Sequence, residues 1–164
     1  MIKLHKRLIY NVNKFLFNVT GDSCGYIQHY GGSCVHPEGD SSNPGLETTL
    51  VISPGCDAEQ FYFCRRTISG STVEIYHMNT GLCIAPNTRG QNSDKLVLRY
   101  CGSSANQWHW IWNNRNIRWN NNGKCWHPYK GSAHPSRNTK IVTHADCYQY
   151  RLDFVFHEKT KKYS

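Results

Sequence analysis

The chain alternates apolar and polar residues over short stretches, and no long window carries apolar residues at helical spacing. Runs such as Gln60-Phe-Tyr-Phe63 and Gln107-Trp-His-Trp110 place apolar side chains at alternate positions, which is typical of a strand with one buried face. Glycine, asparagine, serine and threonine residues, which favour turns, separate these runs. The pattern therefore predicts an all-β chain of short strands with little helix.

Two segments of the chain repeat each other without a gap. The segment that opens with Cys34-Val-His-Pro37 matches the segment that opens with Cys125-Trp-His-Pro128. In both, a serine, a proline, a threonine and an apolar pair follow at the same offsets, and a second cysteine closes the segment 22 positions after the first. A shorter, more divergent copy spans Cys83–Cys101. The chain therefore contains three copies of one unit.

Each copy is flanked by further strand patterns. A short run with an isoleucine precedes each first cysteine, and an alternating run follows each second cysteine. A glycine (Gly32, Gly81 and Gly123) stands two positions before each first cysteine, where a hairpin turn needs a positive φ. Four strands per unit fit a closed barrel of threefold symmetry that lets three weak units share one core. We predict a β-trefoil; an immunoglobulin-like sandwich explains short strands but not the threefold period.

The repeats also set the predicted domain boundaries. We place a single β-trefoil domain at residues 24–157, with repeats at about 24–64, 73–112 and 116–157. Residues 1–23 form an N-terminal extension, and residues 158–164 form a basic tail. The aromatic series His29, His77 and Trp119 recurs before the first cysteines, and we expect it in the core or barrel cap.

Eight cysteines without a Cys-x-x-Cys spacing favour disulfides in an oxidising compartment over zinc. We therefore expect a secreted, extracellular protein, although the first 17 residues contain neither a signal-peptide core nor a membrane span. Three pairs lie at matching positions within the repeats, and the last two cysteines flank the outer strands of the first repeat. The predicted disulfides are Cys34–Cys56, Cys83–Cys101, Cys125–Cys147 and Cys24–Cys64.

The net charge of +8 is distributed unevenly. Basic residues cluster near both termini, and the remaining excess leans towards the third repeat, at Arg115, Arg118, Lys124, Lys130, Arg137 and Lys140. A basic surface attracts nucleic acid, anionic membrane or sulfated glycan. For an extracellular protein the glycan is the most accessible of these, and we expect no nucleic acid partner.

With these residues in view, the chain resembles the ricin-B-type lectins in its cysteine pair within each repeat and its glutamine–aromatic strand after the second cysteine. More specifically, its Cys-Val-His-Pro and Cys-Trp-His-Pro units resemble repeats in secreted lectin-like proteins of cnidarians and other marine invertebrates. The resemblance implies carbohydrate binding. The ricin-type site, however, has an acidic residue where this chain has His36, Ala85 and His127, so that galactose site is not carried over residue by residue.

The loops after the two His-Pro pairs carry groups suited to sugar recognition, which needs hydrogen-bonding groups at fixed geometry and often an aromatic face. The alternative is that each His-Pro turn is a structural element whose histidine bonds the loop backbone. The second repeat has Ala85 and a shortened loop, so we predict that it binds no sugar. The candidate residues are His36, Glu38, Asp40, Ser41 and Asn43 in the first repeat, and His127, Tyr129, Lys130, Ser132 and His134 in the third.

Other functions receive less support. No acidic pair recurs at equivalent positions, as glycoside hydrolysis would require, so we predict that the protein is not an enzyme and uses no metal or cofactor. We expect its partners to be glycans or glycoproteins, galactosides or sulfated and acidic ones, bound at two sites per chain and strengthened by two-site or homodimer avidity. The main alternative is a trefoil that binds protein, such as a protease inhibitor or a matrix interaction protein.

Overall fold

The computed structural model describes residues 22–111, 115–150 and 153–159, which form twelve strands and three single-turn 3-10 helices but no α-helix. Residues 1–21 of the predicted N-terminal extension and residues 160–164 of the predicted basic tail lie outside these residues, while Ser23 already belongs to the first strand. The strands are β1 (Ser23–His29), β2 (Cys34–Pro37), β3 (Leu50–Ser53), β4 (Phe63–Ser69), β5 (Thr72–His77), β6 (Cys83–Pro86), β7 (Asp94–Arg99), β8 (Gln107–Ile111), β9 (Asn116–Trp119), β10 (Cys125–Pro128), β11 (Thr139–His144) and β12 (Phe154–Glu158).

The strands group into three four-stranded units. The outer strands of the units pair side by side as β12–β1–β4–β5–β8–β9, all antiparallel, and form the barrel. The inner strands form the hairpins β2–β3, β6–β7 and β10–β11, and β11 also pairs with β3 and β7 to join the hairpins into a cap. The prediction of a β-trefoil with four strands per repeat is confirmed.

The barrel core is built from residues at equivalent positions of the three units. Ile27, Ile75 and Ile117 are completely buried, and Phe63, Trp108 and Phe154 pack beside them. The barrel strands pair in the same register at each unit boundary, so that these three aromatic residues lie opposite His77, Trp119 and His29 respectively. One set of alternating inward positions, repeated three times, therefore fills the barrel.

The aromatic series His29, His77 and Trp119 is buried, as predicted. In the second unit, Nε2 of His77 lies 2.9 Å from the carbonyl oxygen of Gln60. In the third, Nε1 of Trp119 donates a 3.1 Å hydrogen bond to the carbonyl of Ala105. In these two units a flat ring aims a nitrogen at a carbonyl just before the preceding barrel strand, whereas in the first unit Nδ1 of His29 accepts the backbone N–H of Gly31 at 3.0 Å.

The hairpin glycines have the backbone conformation that their spacing predicts. Gly32, Gly81 and Gly123 have φ values of 92°, 70° and 74°, in the left-handed region that side chains with a Cβ rarely adopt. Each turn returns the chain from a barrel strand into a cap strand, and this places the three cap hairpins at equivalent positions.

All four predicted disulfides are present, and the described residues contain no free cysteine. Three of them join the two ends of a cap segment. The fourth, Cys24–Cys64, joins residues that lie directly opposite each other on β1 and β4. Over the described parts of the chain, no helix is long and apolar enough to cross a membrane.

Candidate functional site

A cavity of about 400 Å³ opens in the third repeat, beside the turn that follows β10. β10 ends in His127-Pro128, and the chain then turns through Lys130 and Gly131, which both have positive φ. β11, which pairs with β10, supplies Val142 and His144 to the opposite wall. The residues that line the cavity are Ser93, His127, Pro128, Lys130, Gly131, Val142, His144, Asp146 and Gln149.

His127 forms the inner wall of this cavity. Its ring is 6% exposed and stacks on His144, with ring centroids 4.8 Å apart. Burial lowers the pKa of His127, and a charge on His144 would lower it further, while the backbone and carboxyl of the nearby Asp146 partly offset this. Nε2 of His127 is buried and has no hydrogen bond of good geometry among the described residues, although the backbone of Asp146 is close enough to the ring to raise its pKa.

Asp146 orders the outer wall. Its backbone N–H donates to Nδ1 of His144 at 3.1 Å, which leaves the proton of a neutral His144 on Nε2. Its carboxylate accepts hydrogen bonds from the backbone N–H of Tyr148 at 3.3 Å and from the side chain of Gln149. The carboxylate, amide and imidazole groups are thus fixed relative to one another by short-range bonds in the segment next to the Cys125–Cys147 disulfide.

Two of the five residues predicted for the third repeat, His127 and Lys130, line the cavity. Tyr129 stands between them and is half exposed. Ser132 and His134 lie in the following loop, where the Ser132 hydroxyl accepts the His134 backbone N–H at 3.2 Å. Sequence reasoning missed His144, Asp146 and Gln149. All three lie within three residues of Cys147. The predicted Cys125–Cys147 disulfide brings Cys147 to the start of β10, and this proximity to His127 is the signal that could have found them.

The equivalent histidine of the first repeat is closed in by the protein itself. Nδ1 of His36 lies 2.8 Å from a carboxylate oxygen of Asp40, and Nε2 lies 2.8 Å from the carbonyl oxygen of Gly55. Phe61 stacks on the ring with centroids 4.1 Å apart. The His36 hydrogen bond, more than the one from Arg137, holds the pKa of Asp40 below its ordinary 3.8.

Arg137 links the loops of the first and third repeats, since its guanidinium donates a 2.6 Å hydrogen bond to Asp40. The other residues predicted for the first repeat are more exposed: Glu38 and Asn43 face solvent, and the Ser41 hydroxyl accepts the Asn43 backbone N–H at 3.2 Å. The structure brings His36 and Asp40 together but surrounds them with internal partners.

The first repeat also lacks the polar outer wall of the third. At the same offsets from the second cysteine, the places of His144, Asp146 and Gln149 are taken by Ser53, Gly55 and Ala58. The two His-Pro segments therefore have similar sequences after the first cysteine, but different side chains around the second cysteine.

The loop of the second repeat is filled by its own hydrogen bonds. Ala85 is completely buried where the other repeats have histidine. The carboxylate of Asp94 accepts the backbone N–H and hydroxyl of Thr88 at 3.0 and 2.9 Å, and the N–H of Gly90 at 2.8 Å. Arg99, opposite Cys83 as His144 is opposite Cys125, donates to the carbonyl of Asn87 at 2.7 Å.

The chain matches the family model MytiLec, described as an alpha-D-galactose-binding lectin, over residues 2–69 and 73–162. A comparison with curated protein sequences gives no significant match.

Several solved β-trefoil structures are similar in fold. The designed threefold symmetric protein ThreeFoil aligns over 80% of this chain and 95% of its own, with a TM-score of 0.70 at 9% identity. The C-half of the earthworm R-type lectin in complex with GalNAc aligns over 84% of this chain and 99% of its own, with a TM-score of 0.63 at 12% identity. The Macrolepiota procera ricin B-like lectin in complex with lactose aligns over 80% of this chain and 92% of its own, with a TM-score of 0.64 at 11% identity.

Proposed function

The chain belongs to the MytiLec family of alpha-D-galactose-binding lectins, and on this premise we propose that it binds galactosides in the cavity of its third repeat. It is a carbohydrate-binding lectin module and not an enzyme. The observation that carries the proposed location is the cavity itself, which is lined by the imidazoles of His127 and His144, the carboxylate of Asp146 and the amide of Gln149.

The cavity has the size and the groups that a monosaccharide needs. Its volume of about 400 Å³ falls in the range of small-molecule sites. The Asp146 carboxylate accepts hydrogen bonds from sugar hydroxyls, the amide of Gln149 donates or accepts, and the Lys130 ammonium donates. We propose that a sugar hydroxyl bonds the imidazole of His127, which lines the cavity beside these groups.

We propose unequal roles for the two His-Pro loops. In the first repeat, a sugar would have to displace Asp40 or Gly55 from His36, whereas in the third His127 lines an open cavity. We therefore expect about one galactoside per chain at moderate concentrations, and a second only where it can open the first-repeat loop. The two equivalent sites expected from the sequence would instead give a stoichiometry of two.

Titration calorimetry with methyl α-galactoside tests this location. His127→Ala should weaken binding at least about tenfold, the scale of one lost hydrogen bond with a buried group. The matched variant His36→Ala should leave binding unchanged and lower stability, because it strips Asp40 and Gly55 of a buried partner. Equal binding by wild type and His127→Ala would contradict the proposed site.

We further propose that sulfated or acidic galactosides bind more tightly than neutral ones. The support is Lys130, which lines the cavity and has no ion-pair partner among the described residues. A preference for the sulfated sugar that shrinks at high salt is expected, since salt screens exposed charges. The same preference in Lys130→Ala would contradict it.

We also propose that the protein acts outside the cell and gains avidity as a homodimer. Four disulfides suit an oxidising compartment, and a dimer would present two cavities to a glycan-covered surface. Detection of the protein in secreted fractions and its sedimentation coefficient test these two points.

A further inference from the structure

Exposed tyrosines concentrate around the third-repeat cavity. Among the described residues, five tyrosines are exposed; three of them are chain neighbours of residues that line this cavity, and Tyr100 lies in the second repeat. Tyr129 precedes Lys130, and Tyr148 and Tyr150 stand on either side of Gln149, in each case next to a residue of the cavity wall. Tyr30, from the first repeat, meets the ring of Tyr150. Exposed aromatic rings beside a concave polar site are typical of a ligand-binding surface.

Tyr30 and Tyr150 form a fixed pair. Their ring centroids are 5.6 Å apart with the planes at 83°, an edge-to-face contact. The backbone of Asp153 holds both residues: its carbonyl accepts the N–H of Tyr30 at 2.9 Å, and its N–H donates to the carbonyl of Tyr150 at 3.2 Å. Asp153 is itself buried, and a carboxylate oxygen accepts from the side chain of Asn116. The pair is therefore anchored to the barrel.

The turn that carries Tyr30 also touches the cavity loop. A Cβ added to Gly31 would lie 2.7 Å from the carbonyl oxygen of Ala133, which follows the cavity residue Gly131 by two positions. Only glycine permits this approach of the two backbones. The tyrosine pair is thus connected to the cavity wall twice, by the chain at Gln149 and by the backbone contact with the loop after Gly131.

Burial does not account for the two rings. Tyr30 is 49% exposed and Tyr150 56% exposed, so about half of each side chain remains in contact with water in spite of their mutual contact. The C–H face of a pyranose ring packs well on such a surface because it is apolar, whereas the hydroxyls at its rim remain hydrated.

We infer that Tyr30 and Tyr150 form a second subsite, which stacks the sugar residue linked to a galactose held in the cavity. This inference rests on the proposed function and extends it from a monosaccharide site to an oligosaccharide site. The polar cavity selects the terminal galactose through hydrogen bonds, and the tyrosine pair selects ligands in which a second pyranose continues towards it.

Calorimetry with two probes, methyl α-galactoside and an α-linked digalactoside, tests the subsite. The wild-type protein should bind the disaccharide about three- to tenfold more tightly, the scale of one aromatic contact. Tyr150→Ala and Tyr30→Ala should bring this ratio close to one and leave monosaccharide affinity unchanged. Tyr150→Phe should keep the ratio, since it keeps the ring. Tyr100→Ala removes an even more exposed tyrosine elsewhere and should leave both affinities unchanged.

Three results would overturn the inference. The wild-type protein could bind both probes equally, Tyr150→Ala could keep the disaccharide advantage, or it could weaken the monosaccharide to the same extent as the disaccharide. Failure of the wild-type protein to bind either probe would instead contradict the proposed function, and the subsite with it.

Discussion

Two histidines that share one local sequence have different surroundings in this protein. His36 and His127 both follow a cap-strand cysteine and precede a proline, yet both nitrogens of His36 have partners and Nε2 of His127 has no hydrogen bond of good geometry among the described residues. The partners of His36 come from Asp40, four residues away, and from Gly55, nineteen residues away. The residue type is therefore suited to either a structural or a binding role, and its neighbours decide between them.

Burial of histidines without charge makes the protein sensitive to acid. Burial, assisted by the nearby His134 and His127, lowers the pKa of His29 from 6.5 to about 4, and burial also lowers the pKa of His77 and His127. As the pH falls from 6.5 towards 4, the unfolded chain binds protons that the folded chain does not. The free energy of unfolding should therefore decrease through this window.

His29→Phe isolates the largest of these effects. Urea denaturation between pH 7 and pH 4 should show a smaller loss of stability in the variant than in the wild type, because phenylalanine does not titrate and still packs against Phe154. Parallel pH dependences in the two proteins would show that His29 is not responsible.

Among the elements, the barrel strands are specified by residues close in sequence, whereas the cap loops are specified by residues from other repeats. Barrel strands follow from alternating residues, and the hairpin turns follow from glycines at a fixed place. The cap loops depend on contacts between repeats. The second-repeat loop, for example, lies against the third repeat, where Asn122 donates a 2.9 Å hydrogen bond to the carbonyl of Gly90 and Trp119 packs against Gly90.

Gly90→Ala should damage this contact. A Cβ at Gly90 would lie 2.2 Å from the ring of Trp119, in addition to the strain of a φ of +61°. Gly70→Ala is the matched control, because its φ of +53° is similar and its Cβ would meet nothing within 4 Å. We expect the control to cost about 1–2 kcal/mol and Gly90→Ala to cost about 1–3 kcal/mol more, from the steric clash. Equal losses in thermal unfolding would show that the ring gives way without cost.

At the scale of the whole molecule, three repeats with weakly similar sequences close into one barrel. β1 is central to the closure, because it pairs with β12 at the other end of the described chain and with β4 of its own repeat. The disulfides reinforce this arrangement at four places, and Cys24–Cys64 connects residues 40 positions apart, against 18 for Cys83–Cys101.

Removal of these two disulfides should show the effect of loop length. Replacement of both cysteines by serine should cost about 4 kcal/mol for Cys24–Cys64 and about 3 kcal/mol for Cys83–Cys101, since the longer loop restricts the unfolded chain more. Urea unfolding of the two double variants measures the difference. A larger loss for Cys83–Cys101 would mean that native packing around that bond outweighs the entropy of the unfolded chain.

The amino-acid sequence by itself determined the trefoil, the four disulfides and the glycines at the hairpin turns. The glycines and three of the disulfides recur at matching positions such as Cys34 and Cys125, and Cys24–Cys64 follows because a trefoil places the outer strands of one repeat side by side. The sequence also placed His127 and Lys130 among the candidate binding residues.

Only the tertiary structure decided how the two His-Pro loops differ. Phe61 stacks on His36, Arg137 crosses from the third repeat to Asp40, and His144, Asp146 and Gln149 surround the cavity beside His127. These contacts join residues that are distant in sequence or that belong to different repeats, and no spacing rule within one repeat reports them. The periodic sequence pattern specifies the barrel and the cap hairpins, whereas the cavity forms where the third copy departs from the pattern that the three copies share.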